Sequence, residues 1–169
     1  MMPGPLQHSV GDVVRRLIVD RGWGVEYADD RTSWATFEGV EPDLPDDCIT
    51  VYDTLGIDHG RNSATGERAE SHGFQVRVRS KTKSTGFAKL RQIAVGFDED
   101  VYLATVSVDD VEYLIQSIKR NGEPMYIGHE APNSKRFLHT LNCVVSLRET
   151  GEAGGDMVLQ ESEGFLILE

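Results

Sequence analysis

The stretch GFQVRVRSKTKSTGFAKLRQIAVGF, Gly73 to Phe97, carries six of the chain's seventeen Lys and Arg residues and no acidic residue. Guanidinium and ammonium groups at that density can bind phosphate, carboxylate or a complementary protein surface. Single-strand binders also interleave exposed aromatics with their basic residues. Here the aromatics are Phe74, Phe87 and Phe97, and all three fall on faces expected to be buried. For Arg77, Arg79, Lys81 and Lys83 the simplest reading is a solvated strand face and turn; contacts in an assembly come next and DNA binding last.

Other reactive residues are scattered. The five histidines, His8, His59, His72, His129 and His139, show neither HExxH nor two-His-one-carboxylate spacing. Asp53 and the pair Asp58-His59 could meet in space, but a polar loop makes a poor metal cage. GRNSATG, residues 60–66, lacks the Lys-Ser/Thr of a phosphate loop, and no serine sits in GxSxG. Cys48 and Cys143 lie in apolar surroundings without CxxC spacing, as buried free thiols do. Trp23 and Trp34 read as packing residues. The residues thus offer no catalytic set, no metal site and no cofactor site, and the expectation is a non-catalytic protein.

The chain has 169 residues, 18.8 kDa and a formal net charge of -11, enough for one domain with a real core. That charge opposes specific nucleic-acid binding or attachment to anionic membranes over the whole surface. It is also segregated: Thr32 to Gly60 holds seven acidic residues and no Lys or Arg, and the basic stretch follows later in the chain. Segregated charge suits self-assembly through complementary surfaces. The opening MMPGPLQHSVGDVV lacks the basic and apolar regions of a secretory signal, and no stretch approaches a membrane span, so assembly in a cytoplasm is expected.

The elements that must position these residues follow from periodicity. Ser9 is a candidate N-cap for a helix with Val10, Val13, Val14, Leu17 and Ile18 on one stripe, ended by Gly22. TSWATFEG reads as a short strand and VEPDLPDD as an extended loop. Cys48–Thr54 is a strand whose partner is Phe74–Ser80. In the partner, Phe74, Val76 and Val78 alternate with Gln75, Arg77 and Arg79, placing guanidinium groups on the face opposite the core. Leu55 to Gly73, long, polar and glycine-rich, reads as a mobile loop. Ser84 is a candidate N-cap for a second helix with Phe87, Leu90, Ile93, Ala94 and Phe97 on one stripe. LATVSV, VEYLIQSIK and Arg136–Arg148 complete the strands. The predicted fold is α+β, a mostly antiparallel β-sheet with two helices packed on one face. Residues 1–149 form the domain and 150–169 an acidic, glycine-containing tail.

In order and spacing these features resemble the tail-terminator or minor capsid proteins of long-tailed bacteriophages. The resemblance runs from LPDDCITVYDT through HGFQVRVRSKTKSTGFAKLRQIAVGF and VEYLIQSIKRNGEPMYIGHE to NSKRFLHTLNCVVSLRE, covering Val10 to Glu149. Tyr52-Asp53-Thr54, Gln75 to Arg79, Gly122-Glu123-Pro124, Ile127-Gly128 and Asn142 stand where that family has similar residues. HEAPNSKR departs from an Asp-rich turn, and the tail after Thr150 has no counterpart. The resemblance implies a structural virion protein: a homo-oligomer, a six-fold ring on the tail tube protein, that ends tail polymerisation and meets a head-completion or connector protein. It also implies a place at the head-tail junction of a virion assembled in the host cytoplasm, with DNA passing through the ring. Arg77, Arg79, Lys81 and Lys83 are then candidate interface residues. Two alternatives stand beside it: another head-tail joining protein, and a small ligand-binding or enzymatic domain using the 55–73 loop. In the tail, Phe165, Leu166, Ile167 and Leu168 form an apolar run that is costly to expose and is expected to dock.

Overall fold

The computed structural model describes residues 6–61, 68–130 and 135–152. Helix α1, Val10–Asp20, begins as its sequence dictates: the Ser9 hydroxyl accepts the Asp12 backbone N–H at 3.0 Å. It ends where Gly22 takes a φ of 71° and its N–H reaches the Val19 carbonyl at 2.9 Å. The expected stripe, Val10, Val13, Val14, Leu17 and Ile18, is buried. The strands and second helix are β1, Ala35–Glu38; β2, Cys48–Arg61; β3, Arg68–Ser80; α2, Lys83–Glu99; β4, Tyr102–Val108; β5, Val111–Arg120; β6, Met125–His129; and β7, Phe137–Glu152.

These make a seven-stranded sheet in the order β1-β2-β3-β7-β5-β4, with β6 also paired to β7. Only the β1-β2 pairing is parallel. Strands β5 and β6 share one side of β7: β5 takes residues 143–152, and β6 takes residues 137–140. The Asp109-Asp110 turn between β4 and β5 has positive φ at both positions, 44° and 66°, which matches the right-handed twist of a two-residue hairpin. One core unites both helices with Ile49, Val51, Phe74, Val76, Val78, Tyr113, Ile115, Leu141, Cys143 and Val145. The architecture is α+β and mostly antiparallel, as expected.

Four expectations change. The segment 55–73 is no simple loop: β2 runs on to Arg61 and β3 starts at Arg68, so the two continue as a ribbon, with Ile57 opposite Ser71 and Arg61 opposite Arg68. A ribbon wet on both faces satisfies its backbone by mutual pairing and needs no apolar alternation, which is why its sequence reads as loop. Second, Met125–His129, which lies outside every expected strand, is a strand. Third, β7 runs four residues past Arg148, where the last strand was expected to end, and pairs Glu152 with Val111. Fourth, the N-cap of α2 is Thr82, whose hydroxyl accepts the Thr85 N–H at 3.3 Å, and not Ser84. On the α2 stripe Leu90, Ile93, Ala94 and Phe97 are buried, whereas Phe87 is exposed. The run Phe165–Leu168 lies outside the described residues.

Candidate assembly surface

Strand β3 carries Arg77 opposite Thr50 and Arg79 opposite Cys48, on the face away from Val76 and Val78. Alternation places the guanidinium groups on that face, but it does not reveal what lies above it. The segment Gly39–Asp47 does: it folds over this face, and Arg79 is 2% exposed beneath it. The expectation that Arg79 stands outward in water is therefore corrected. Its Nη2 donates to the carbonyls of Pro42, Asp43 and Pro45 at 2.6, 3.2 and 2.8 Å, and its Nε to that of Asp46 at 3.4 Å. Its Nη1 lies 3.4 Å from both Glu41 and Glu130.

The physical reason lies in the loop. A proline-punctuated, extended segment offers carbonyls with no strand to donate to them, and two of its own residues lack an N–H. A planar fork of five donors meets that need from one side chain. Sequence carried a signal for this pairing, a VEPDLPDD run beside a buried-strand arginine, although neither half identifies the other.

Arg77 is half-buried. Its guanidinium lies 5.1 Å above the Tyr52 ring and 3.3 Å from Glu41 Oε2, which also accepts the Tyr52 hydroxyl at 3.4 Å. Burial and then the Glu41 charge push the Tyr52 phenol above its ordinary value. Lys81 projects into solvent, 3.9 Å from Asp46, while its backbone N–H donates to Asp47 at 2.9 Å. Lys83 is exposed at the head of α2 with its ammonium 4.5 Å above the Tyr126 ring. Arg136, not singled out in the sequence, joins Asp46 at 2.8 Å and Glu130 at 3.3 Å. Around Arg79 the cations Arg77, Lys81 and Arg136 are thus interlocked with Glu41, Asp46, Asp47 and Glu130. This is a neutralised clamp and not a phosphate-binding stripe. The four predicted basic residues divide into two kinds: Arg77 and Arg79 hold a loop, and Lys81 and Lys83 face outward.

Beyond Lys83 lies a surface that the sequence reading missed. Met125, Tyr126 and Ile127 on β6 are 54%, 37% and 44% exposed, and Phe87 on α2 is exposed nearby. Tyr126 and Phe87 flank His139 at 5.4 and 6.2 Å between ring centroids. The run Met-Tyr-Ile between Pro124 and Gly128 was its sequence signal. His139 itself is fully buried, and neither ring nitrogen finds a partner among the described residues. Burial, then the charge of Lys83, holds it below its ordinary value of 6.5.

A shallow cavity of about 260 Å³ opens elsewhere, lined by His8, Ser9, Asp53, Thr54, Gly56, His72 and Gly73 among others. Asp53 is already committed there, accepting the Gly11 N–H at 2.6 Å. Among the described residues no group of three or more His, Cys, Asp or Glu converges as a metal site. Both cysteines are free and buried, and burial pushes their thiols up to about 12.

The family model described as bacteriophage tail terminator protein matches residues 23–148, a span that holds all seven described strands except the last four residues of β7. A comparison with curated proteins finds no match. Among solved structures, a chain from the virion of a native gene transfer agent particle is similar to 67% of this chain and 78% of its own, at 10% identity and a TM-score of 0.41. That likeness is too loose to bear on function. The family match spans most of the chain and does not depend on it: the chain belongs to the bacteriophage tail terminator protein family, structural proteins of the phage tail.

Proposed function

We propose that this protein closes into a ring on the end of a completed tail tube, stops further polymerisation and offers its outer surface to the head connector. The observation that carries the reading is the family match over residues 23–148. A ring of identical chains uses heterologous contacts, one patch of a protomer meeting a different patch of the next, with a rotation that closes. In this reading the ring is six-fold and both helices cover one sheet face, which leaves the edges of the sheet and the Gly39–Asp47 side for neighbours. Lys81 and Lys83 supply contacts directly, since both are exposed; Arg77 and Arg79 act through the loop they hold. The protein works in the virion, at the head-tail junction, after assembly in the host cytoplasm. The test is electron microscopy of the protein mixed with tail tubes. Density capping one tube end supports the reading, and bare ends at saturating protein overturn it.

A further inference from the structure

We propose that the apolar run Phe165–Leu168 of one copy adds as a strand to the free outer edge of β6 in a second copy. The proposal rests on the ring reading and names one of its contacts. Strand β6 pairs with β7 on one side and, among the described residues, with nothing on the other. Exposed edges are ordinarily blunted by Lys, Pro or very short length. The sequence MYIGH contains neither Lys nor Pro, and although it is five residues long with a register shift between Tyr126 and Gly128, its first three side chains are exposed apolar groups. Phe87 widens this apolar surface on the α2 side. An added strand would satisfy the open backbone groups and cover those side chains together, which is how strand addition gains both affinity and selectivity.

Three observations select the occupant. The first is what lies outside the described chain: seventeen residues follow Glu152, and their longest continuous apolar run is Phe165–Leu168, against the shorter Met157–Leu159. The second is charge. Glu161, Glu163 and Glu169 flank that run, and Lys83, whose ammonium sits over Tyr126, makes no ion pair with a described residue. The third is reach. Strand β7 begins beside β6 and carries the chain to Glu152, about 45 Å measured along the strand at ~3.3 Å per residue. The twelve residues from 153 to 164 span at most about 40 Å when fully taut and about 20 Å when relaxed. Return to the chain's own β6 demands a taut linker, whereas a neighbour's β6 can lie within relaxed reach. The nearer edge in the same chain is β4, because Glu152 pairs with Val111, which pairs with Val108. At the end beside Glu152 its exposed residues Thr105 and Ser107 are polar, while the exposed Tyr102 and Leu103 lie at its far end.

Disulfide trapping in the full-length chain tests this without tail tubes, so its outcome is independent of tube capping. The native thiols are buried and raised to about 12, so they contribute almost no thiolate near pH 8. Ile127→Cys and Leu166→Cys are made as separate variants, mixed in equal amounts, oxidised and run on a non-reducing gel. Met125→Cys replaces Ile127→Cys if circular dichroism shows that the latter is unfolded. Thr105→Cys mixed with Leu166→Cys is the β4 comparison. The expected result is a linked dimer of the two different chains, several-fold more abundant than with Thr105→Cys and rising with protein concentration. No linked dimer, equal linkage through position 105, or an Ile127→Cys/Leu166→Cys double variant that closes only within one chain would each overturn the proposal.

Discussion

Arg79 shows how one side chain can decide a local structure. Removing it leaves the carbonyls of Pro42, Asp43, Pro45 and Asp46 without their donor and takes a cation from between Glu41 and Glu130. Stripping one partner from a buried ionic cluster costs about 3–5 kcal/mol. Arg79→Ala should therefore lower the melting temperature by roughly 10 °C in a chain of this size. Arg79→Lys should recover little, because an ammonium cannot span the same set of carbonyls. Arg77→Ala loses only a half-exposed ion pair and a ring contact, about 1 kcal/mol. Thermal unfolding of the three variants checks this, and equal losses at positions 77 and 79 would contradict the clamp. His139 provides a second test. Its folded value lies below 6.5 because burial and Lys83 oppose the charged ring. Lys83 sits at the head of α2, and the uncharged rings of Tyr126 and Phe87 pack beside His139. The unfolded chain then binds the proton more readily, so the stability this group contributes is full above pH 6.5 and is lost as pH falls through the folded value. The urea midpoint should drop between pH 7 and pH 5, and His139→Leu should make that drop shallower. An unchanged slope would place the loss elsewhere.

At the scale of elements, α2 contains a helix-interior glycine that ordinary propensity would replace. Gly→Ala there normally gains about 1 kcal/mol. A Cβ on Gly96, however, would run into the indole of Trp23, a rigid ring held edge-on to Phe97 at 5.7 Å. Overpacking of this kind costs about 1–3 kcal/mol, so the packing term wins and Gly96→Ala should destabilise. A raised denaturation midpoint would show that the Trp23 ring can move. The sequence was most legible where one face is buried. The stripe of α1 with its Ser9 cap and the alternation of Phe74, Val76 and Val78 both appear where periodicity put them. It was least legible where burial was no guide. The ribbon of β2 and β3 is wet on both faces, β6 is an edge five residues long beside a proline, and Phe87 continues a helical stripe past the end of the core. The candidate surface was half legible for a related reason. Lys81 and Lys83 stand outward as expected, but the burial of Arg79 depends on a loop more than thirty positions away, which no local pattern encodes.

At the scale of the whole molecule, charge separation and unpaired edges bear on association. Basic and acidic side chains around Arg79 neutralise one another within the chain, so the net charge of -11 resides largely on the remaining surface. Like-charged protomers repel in dilute solution, and salt shortens that repulsion to about 8 Å near physiological strength. Sedimentation should thus show mostly single chains at low concentration and low salt, with larger species growing as either is raised. A distribution independent of both would leave the proposed ring without a route from free chains. The double change Lys81→Glu, Lys83→Glu, at two exposed sites, should leave the melting temperature within a few degrees while weakening that association. The most direct measurement is electron microscopy of purified protein added to tail tubes that end without a terminator. The proposed function predicts a ring of this chain at one end of each tube and no further growth when free tube subunits are supplied. Tubes that stay bare, or that continue to lengthen in the presence of saturating protein, would contradict it.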